Sequence, residues 1–133
     1  MANVPPSSRP TILLVDDEPE VLRLLKRILS AESALILAAQ SGAEALEIAR
    51  QTPLDLVILD VKLPDVSGTE VLRRLRRIDA GVPVIIVTSY GSVETVRASM
   101  KLGAFDYLTK PFDNQEIRRV AREALASRAG RSQ

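Results

Sequence analysis

Residues 54–68 read LDLVILDVKLPDVSG. The run from Leu54 to Leu59 is short and mostly apolar, the pattern of a strand covered on both faces. It stops on a carboxylate, Asp60, and gives way to a loop that contains Pro64 and Gly68. A rigid strand that carries apolar residues up to an acid aims that acid at one place. The rest of the chain says which place.

Four more runs of this kind stand along the sequence: TILLV (11–15), ALILAA (34–39), VPVIIV (82–87) and AFDYL (104–108). Segments of helical period separate them. Val21, Leu25, Ile28 and Leu29 mark a first apolar stripe, Val71, Leu72, Leu75 and Ile78 a third. Ile117, Val120, Ala121, Ala124 and Leu125 mark the last. Ser41 with Glu44, Ser67 with Glu70 and Asp113 with Glu116 have the spacing of a capping box. Gly103 suits a left-handed helix terminator before the fifth strand. Pro53 and Pro83 stand before or at strand starts, where a missing N–H is tolerated.

The pattern is five βα units with short connections, which predicts an α/β fold: a five-stranded parallel sheet with right-handed crossovers and helices on both faces. One domain over residues 11–127 accounts for it. Residues 1–10, with three prolines and two serines, read as a flexible lead-in, and residues 128–133 as a tail or linker start. The chain is expected to be either a single-domain protein or a domain of a longer one.

Composition removes whole classes of chemistry. The 133 residues include no Cys, His or Trp, so disulfides, thiolate or imidazole metal sites and Ser-His-Asp catalysis are excluded. Charges nearly cancel, 18 basic against 17 acidic, which gives no global electrostatic case for nucleic acid or anionic lipid. The basic run RRLRRI (73–78) reads as the wet face of a helix. No segment reaches membrane-spanning length and the N-terminus lacks a signal-peptide pattern, so a cytoplasmic protein is expected, with no membrane partner.

The polar residues at the strand ends carry the chemistry. Strand one ends in Asp16-Asp17, strand three in Asp60, strand four in Thr88-Ser89 and strand five in Thr109-Lys110. In an open α/β sheet, ligands bind beyond the strand C-termini where strand order reverses. For the order 2-1-3-4-5, taken from fold-level experience rather than from spacing, that point lies between strands one and three. Three aspartates then share one crevice. They cannot all stay ionised cheaply without a cation, and an all-oxygen ligand set favours Mg²⁺ or Mn²⁺. A carboxylate is also a competent nucleophile toward phosphorus. Lys110 offers a cation and Thr88 a hydroxyl for the oxygens of a transferring phosphoryl group.

Each residue also has a plainer reading. Asp16 and Asp17 alone are evenly balanced between ion binding and turn or cap formation, and Asp17 suits a cap for the first helix. Thr88 alone is a strand-favoured residue, Lys110 a solvated charge and Tyr107 a half-buried sheet residue. Pro111 keeps Lys110 extended and permits a cis bond.

Taken together, LLVDDE (13–18), VILDVKLPDVSG (57–68), VIIVTSYG (84–91) and GAFDYLTKPF (103–112) resemble the receiver domain of bacterial two-component response regulators. The stretch from Thr88 to Ile117 is most similar to receivers of nitrogen-regulator-type, sigma-54-dependent activators. The resemblance covers residues 10–127. It implies that Asp60 accepts a phosphoryl group from a histidine kinase or histidine phosphotransfer protein. It implies that Asp17, Asp60 and the backbone carbonyl of Lys62 bind Mg²⁺ directly and Asp16 chiefly through water. Thr88 and Lys110 would engage the phosphoryl group, Tyr107 would change rotamer with Thr88, and the Lys110–Pro111 bond would be cis. Such a domain is no enzyme toward an external metabolite; it catalyses its own phosphorylation and dephosphorylation. Lys62 and Tyr90 flank the expected site and would tune the phosphoryl lifetime.

The fourth helix, about residues 92–102, is rich in poorer helix formers and follows Gly91, a permissive hinge position. It is expected to have low local stability and to move when Thr88 engages the phosphoryl group. Helix four, strand five and helix five would form the output surface toward a downstream effector. Arg97, Lys101, Arg118 and Arg122 could also support a phosphorylation-dependent homodimer. Three alternatives stay open: a Mg²⁺-dependent phosphohydrolase, against which the adjacent acids and the missing cap segment argue; a flavin or nucleotide binder, against which the loop DDEPE argues; and a phosphate-independent docking module.

Overall fold

The five apolar runs all become strands. In the computed structural model, which describes residues 9–89 and 93–131, they are β1 (Thr11–Val15), β2 (Leu35–Ala39), β3 (Leu56–Asp60), β4 (Val84–Thr88) and β5 (Asp106–Thr109). All pairings are parallel, in the order β2-β1-β3-β4-β5. Every residue of β3 and β4 is buried, as continuous apolar character requires of central strands. The edge strand β2 is only partly covered, and Leu35 stays half exposed.

Five helices fill the two faces: α1 (Pro19–Leu29), α2 (Gly42–Gln51), α3 (Gly68–Ile78), α4 (Val93–Lys101) and α5 (Asn114–Arg131). Strand residues divide by parity. Ile12, Leu14, Ile58 and Ile85 pack with Leu22, Leu25 and Ile28 of α1 and with Ile117, Val120 and Ala124 of α5. Leu13, Val57, Leu59 and Ile86 pack with Ala45 and Leu46 of α2 and Val71, Leu72 and Leu75 of α3. Two expected stripe positions shift. Leu22 is the buried residue of the first turn of α1, with Val21 partly buried against the same core, and Ile78 at the last turn of α3 is 37% exposed.

Local signals set most boundaries. Ser41 and Ser67 accept the Glu44 and Glu70 N–H groups at 3.2 and 3.3 Å, and Asp113 accepts from Gln115 at 2.9 Å. Gly103, at φ +90°, ends α4 with two bonds: its own N–H to the Met100 carbonyl and the Ala104 N–H to the Ser99 carbonyl. The Lys110–Pro111 peptide is cis. α5 runs on to Arg131, into the segment read as a tail or linker start. Arg128 there donates to both carboxylate oxygens of Asp79, at 2.5 and 3.4 Å, and to the Leu54 carbonyl, a long-range anchor. The lead-in up to residue 8, the expected hinge at Gly91, Tyr90 and Ser92 lie outside the described residues.

α4 is the exception among the helices. Its one fully buried residue is Ser99, whose hydroxyl has no hydrogen-bond partner among the described residues. An unpaired buried hydroxyl costs free energy where an apolar residue would contribute it. Ser99→Ala is therefore expected to stabilise the domain by about 1 kcal/mol and to raise Tm by roughly 3–6 °C in a thermal melt.

Candidate functional site

The ends of β1, β3 and β5 converge on one ammonium group. Lys110 Nζ lies 2.8 Å from Asp16 Oδ2, 3.0 Å from Asp60 Oδ2 and 3.4 Å from Glu18 Oε1. Backbone bonds fix each participant. The Asp16 N–H donates to the Ala39 carbonyl at 3.1 Å, and the Val61 N–H, just past Asp60, donates to the Val87 carbonyl at 3.1 Å. The Lys110 N–H donates to the Thr88 carbonyl at 2.7 Å. The side chains leave rigid sheet, not loose loop.

Each carboxylate has a distinct setting. Asp16 is 2% exposed; its Oδ1 accepts the Glu18 N–H at 2.9 Å while Oδ2 takes Lys110. Asp60 is 4% exposed, with Oδ1 accepting the Lys62 N–H at 3.0 Å and Oδ2 paired with Lys110. Asp17 and Glu18 are exposed. Asp16, Asp17 and Glu18 can bring one oxygen each within 4.8 Å of one another. The expected cap role of Asp17 is not seen. The N-cap of α1 is Glu18, no side chain caps it, and Pro19 in the first turn has no N–H to satisfy.

The electrostatics are those of a crowded acidic pocket. Burial raises the Asp16 carboxyl above its ordinary value, more than the Lys110 and Glu18 hydrogen bonds lower it, and the Asp60 charge adds to the rise. Burial works against the Lys110 ammonium too, but the hydrogen bonds to Asp16 and Asp60 outweigh it and its pKa is raised. Three carboxylates pair with one cation and Asp17 adjoins two of them, so acids outnumber cations in the cluster. All the donors are oxygens, a set that fits a hard divalent ion.

The expected residues are thus brought together in part. Asp16, Asp60 and Lys110 form one bonded cluster, and Asp17 adjoins it through Asp16. Lys62 is exposed, and its N–H is the group seen on Asp60. Thr88 is buried at the end of β4, one residue beyond Val87, the register partner of Asp60. Tyr107 stands apart: 43% exposed, it lines a groove of about 610 Å³ with Val93, Val96, Arg97, Met100 and Lys101. Glu18 was not singled out from the sequence, although the run DDE places it beside the two aspartates.

Residues 12–122 match the family model of the response regulator receiver domain. The chain belongs to the response regulator receiver family. Among relatives, it is 36% identical over 118 residues to the transcriptional regulatory protein GlrR of Escherichia coli (strain K12), covering 89% of this chain and 27% of that protein. It is 39% identical over 114 residues to sporulation initiation phosphotransferase F of Bacillus subtilis (strain 168), covering 86% of this chain and 92% of that protein. Among solved structures, a CheY-like receiver domain protein from Methanospirillum hungatei JF-1 superposes with a TM-score of 0.89 at 31% identity, covering 93% of this chain and 99% of that one. The receiver chain therefore spans about a quarter of one relative and nearly all of another.

Replacing Lys110 by Met leaves two buried carboxylates without their cation. At neutral pH this is expected to cost about 2–3 kcal/mol in denaturant unfolding. The deficit shrinks on acidification, because Asp16 protonates from above its ordinary value of 3.8 and then needs no cation. On the alkaline side, the Lys110 contribution is fully present below 10.5 and is lost only as pH climbs through its raised pKa.

Proposed function

We propose that this receiver is a signalling phosphoacceptor in which Asp60 takes a phosphoryl group from a phosphohistidine of a histidine kinase or phosphotransfer protein. The observation that carries this reading is the Lys110 ammonium 3.0 Å from Asp60 and 2.8 Å from Asp16. It pairs a nucleophile at a strand end with a fixed cation where charge develops on the transferring group. Asp60 is preferred over its neighbours on position and on the receiver resemblance. It ends the fully buried central strand β3 and leads into the loop that carries Lys62, whereas Asp16 and Asp17 stand in the turn into α1 and Asp17 is exposed.

One Asp60 oxygen forms the new P–O bond as the P–N bond of the phosphohistidine breaks. The electron pair returns to the imidazole nitrogen, and the ring, already protonated on its other nitrogen, leaves as neutral imidazole. Lys110 pairs with one phosphoryl oxygen and the Thr88 hydroxyl donates to another, so that chemistry is mostly positioning and charge neutralisation. Asp17, Asp60 and the Lys62 carbonyl, with Asp16 beside them, would hold Mg²⁺, and when bound the ion would supply charge neutralisation to the phosphoryl group. The same residues orient a water that later hydrolyses the acyl phosphate, so the domain catalyses its own phosphorylation and dephosphorylation. The proposed setting is cytoplasmic; no helix among the described residues is long and apolar enough to cross a membrane.

The switch follows from weak docking. α4 buries only Ser99 among its residues, while the groove it makes with Tyr107 is apolar and open. Thr88 engaging the phosphoryl group would reposition α4 and Tyr107, and the α4–β5–α5 face would then meet a downstream effector domain, such as a sigma-54-type output module, or a second copy.

Incubation with Mg²⁺ and acetyl phosphate, followed by intact mass, is expected to show a phosphoryl addition on the native chain and none on Asp60→Asn. An addition that survives in the variant removes Asp60 from the role. Hydrogen exchange of residues 93–103 is expected to change when a phosphoryl mimic binds; equal protection in both states would sink the switch.

A further inference from the structure

The loop between β3 and α3 is tied to a distant helix by one carboxylate. Asp65 Oδ1 accepts the Gly42 N–H and Oδ2 accepts the Ala43 N–H, both at 2.9 Å. These are the first two residues of α2, whose N–H groups have no partner within the helix. We infer that Asp65 is a positioning residue for the phosphoacceptor site, holding residues 61–67 as a rigid arch that presents the Lys62 carbonyl to the divalent ion. The inference rests on the phosphoacceptor reading above.

Capping alone does not account for the contact. α2 already has a local cap in Ser41, whose hydroxyl accepts the Glu44 N–H. What Asp65 adds is a bidentate tether between segments 22 and 23 residues apart. The two amides hold its carboxyl below the usual range, so the tether is charged at neutral pH.

Packing makes the tether specific in position. A Cβ at residue 42 would lie 2.6 Å from Val66 Cγ2, so only glycine lets the loop seat against α2. The other end of the loop is closed on its own start. The Gly68 N–H donates to the Val61 carbonyl at 2.9 Å, and a Cβ at 68 would lie 2.5 Å from Val61 Cα and 2.8 Å from the Asp60 carbonyl oxygen. Val61, Leu63 and Val66 are partly buried against the core, while Lys62 and Pro64 are exposed. Entry and exit are thus clamped together, and Asp65 anchors the middle. The Lys62 carbonyl lies between those two attachments, three positions before the tether.

The test uses the full chain and four proteins: native, Asp65→Ala, Asp65→Asn and Ser41→Ala. Mg²⁺ affinity is read by calorimetric titration, thermal stability by melting, and the Gly42 and Ala43 amides by hydrogen exchange without metal. Asp65→Ala is expected to bind Mg²⁺ about tenfold more weakly, as loss of an outer support typically does. It should also expose both amides to exchange. Asp65→Asn keeps one acceptor oxygen and should fall between. Ser41→Ala should melt lower, as a lost cap requires, yet bind Mg²⁺ like the native chain. Native Mg²⁺ affinity in Asp65→Ala, or an equal loss in Ser41→Ala, overturns the positioning role. If that happens while the native chain is still phosphorylated on Asp60, the phosphoacceptor reading stands and only this inference falls. A native chain that neither binds Mg²⁺ nor takes phosphate on Asp60 overturns both.

Discussion

One ammonium group ties the ends of three strands together. Lys110 comes from the end of β5, Asp16 from β1 and Asp60 from β3, and the cation touches both acids within 3.0 Å. Two buried carboxylates in one crevice would otherwise repel one another, and the Asp60 charge is one cause of the raised Asp16 pKa. The cation makes the crevice tolerable to the fold, and the same contact makes it useful. Within the proposed function, Asp60 is a nucleophile already beside the charge that its reaction needs.

The sheet order explains why this happens between β1 and β3. The order in which strands are added reverses there, so the connections after the two parallel strands run to α1 and α3 on opposite faces and leave a crevice at the strand ends. Apolar residues continue to Leu59 because β3 is buried on both faces, and Asp60, itself only 4% exposed, stands at the strand end where Lys110 and the Lys62 N–H meet its carboxylate. Gly68 and Asp65 then keep the following loop close, one by lacking a side chain and the other by reaching α2. The loop after β3 is irregular in backbone but not in position.

The strands and the helix starts at Ser41 and Ser67 were legible, because burial and local capping are written in short stretches; the strand order was not, and came from fold-level experience. Exact strand starts were not legible either. The apolar run at 54–59 became a strand at 56–60, since Asp55 spends its carboxylate on the Thr11 N–H and its own N–H on the Thr11 carbonyl. Hydrophobicity records cover, not where a ladder begins. Long-range polar contacts were equally silent. Nothing near Arg128 announces Asp79, which prolongs α5, and nothing near Asp65 announces Gly42. The grouping of Asp16, Asp60 and Lys110 was accessible only because strand ends are where a parallel sheet gathers its chemistry.

α4 shows how a stable fold can hold one element loosely. Its C-terminal end is well secured: the Gly103 turn takes up its last carbonyls, and Arg76 of α3 donates to the Gly103 carbonyl at 2.7 Å and the Val82 carbonyl at 2.5 Å. Its body is not. Ser99 alone is fully buried, whereas Val93 and Met100 lie in the open with Tyr107. Within the proposed function, that thin packing lets a small displacement at the buried threonine reposition α4, and the apolar groove changes shape while the sheet beneath it stays fixed.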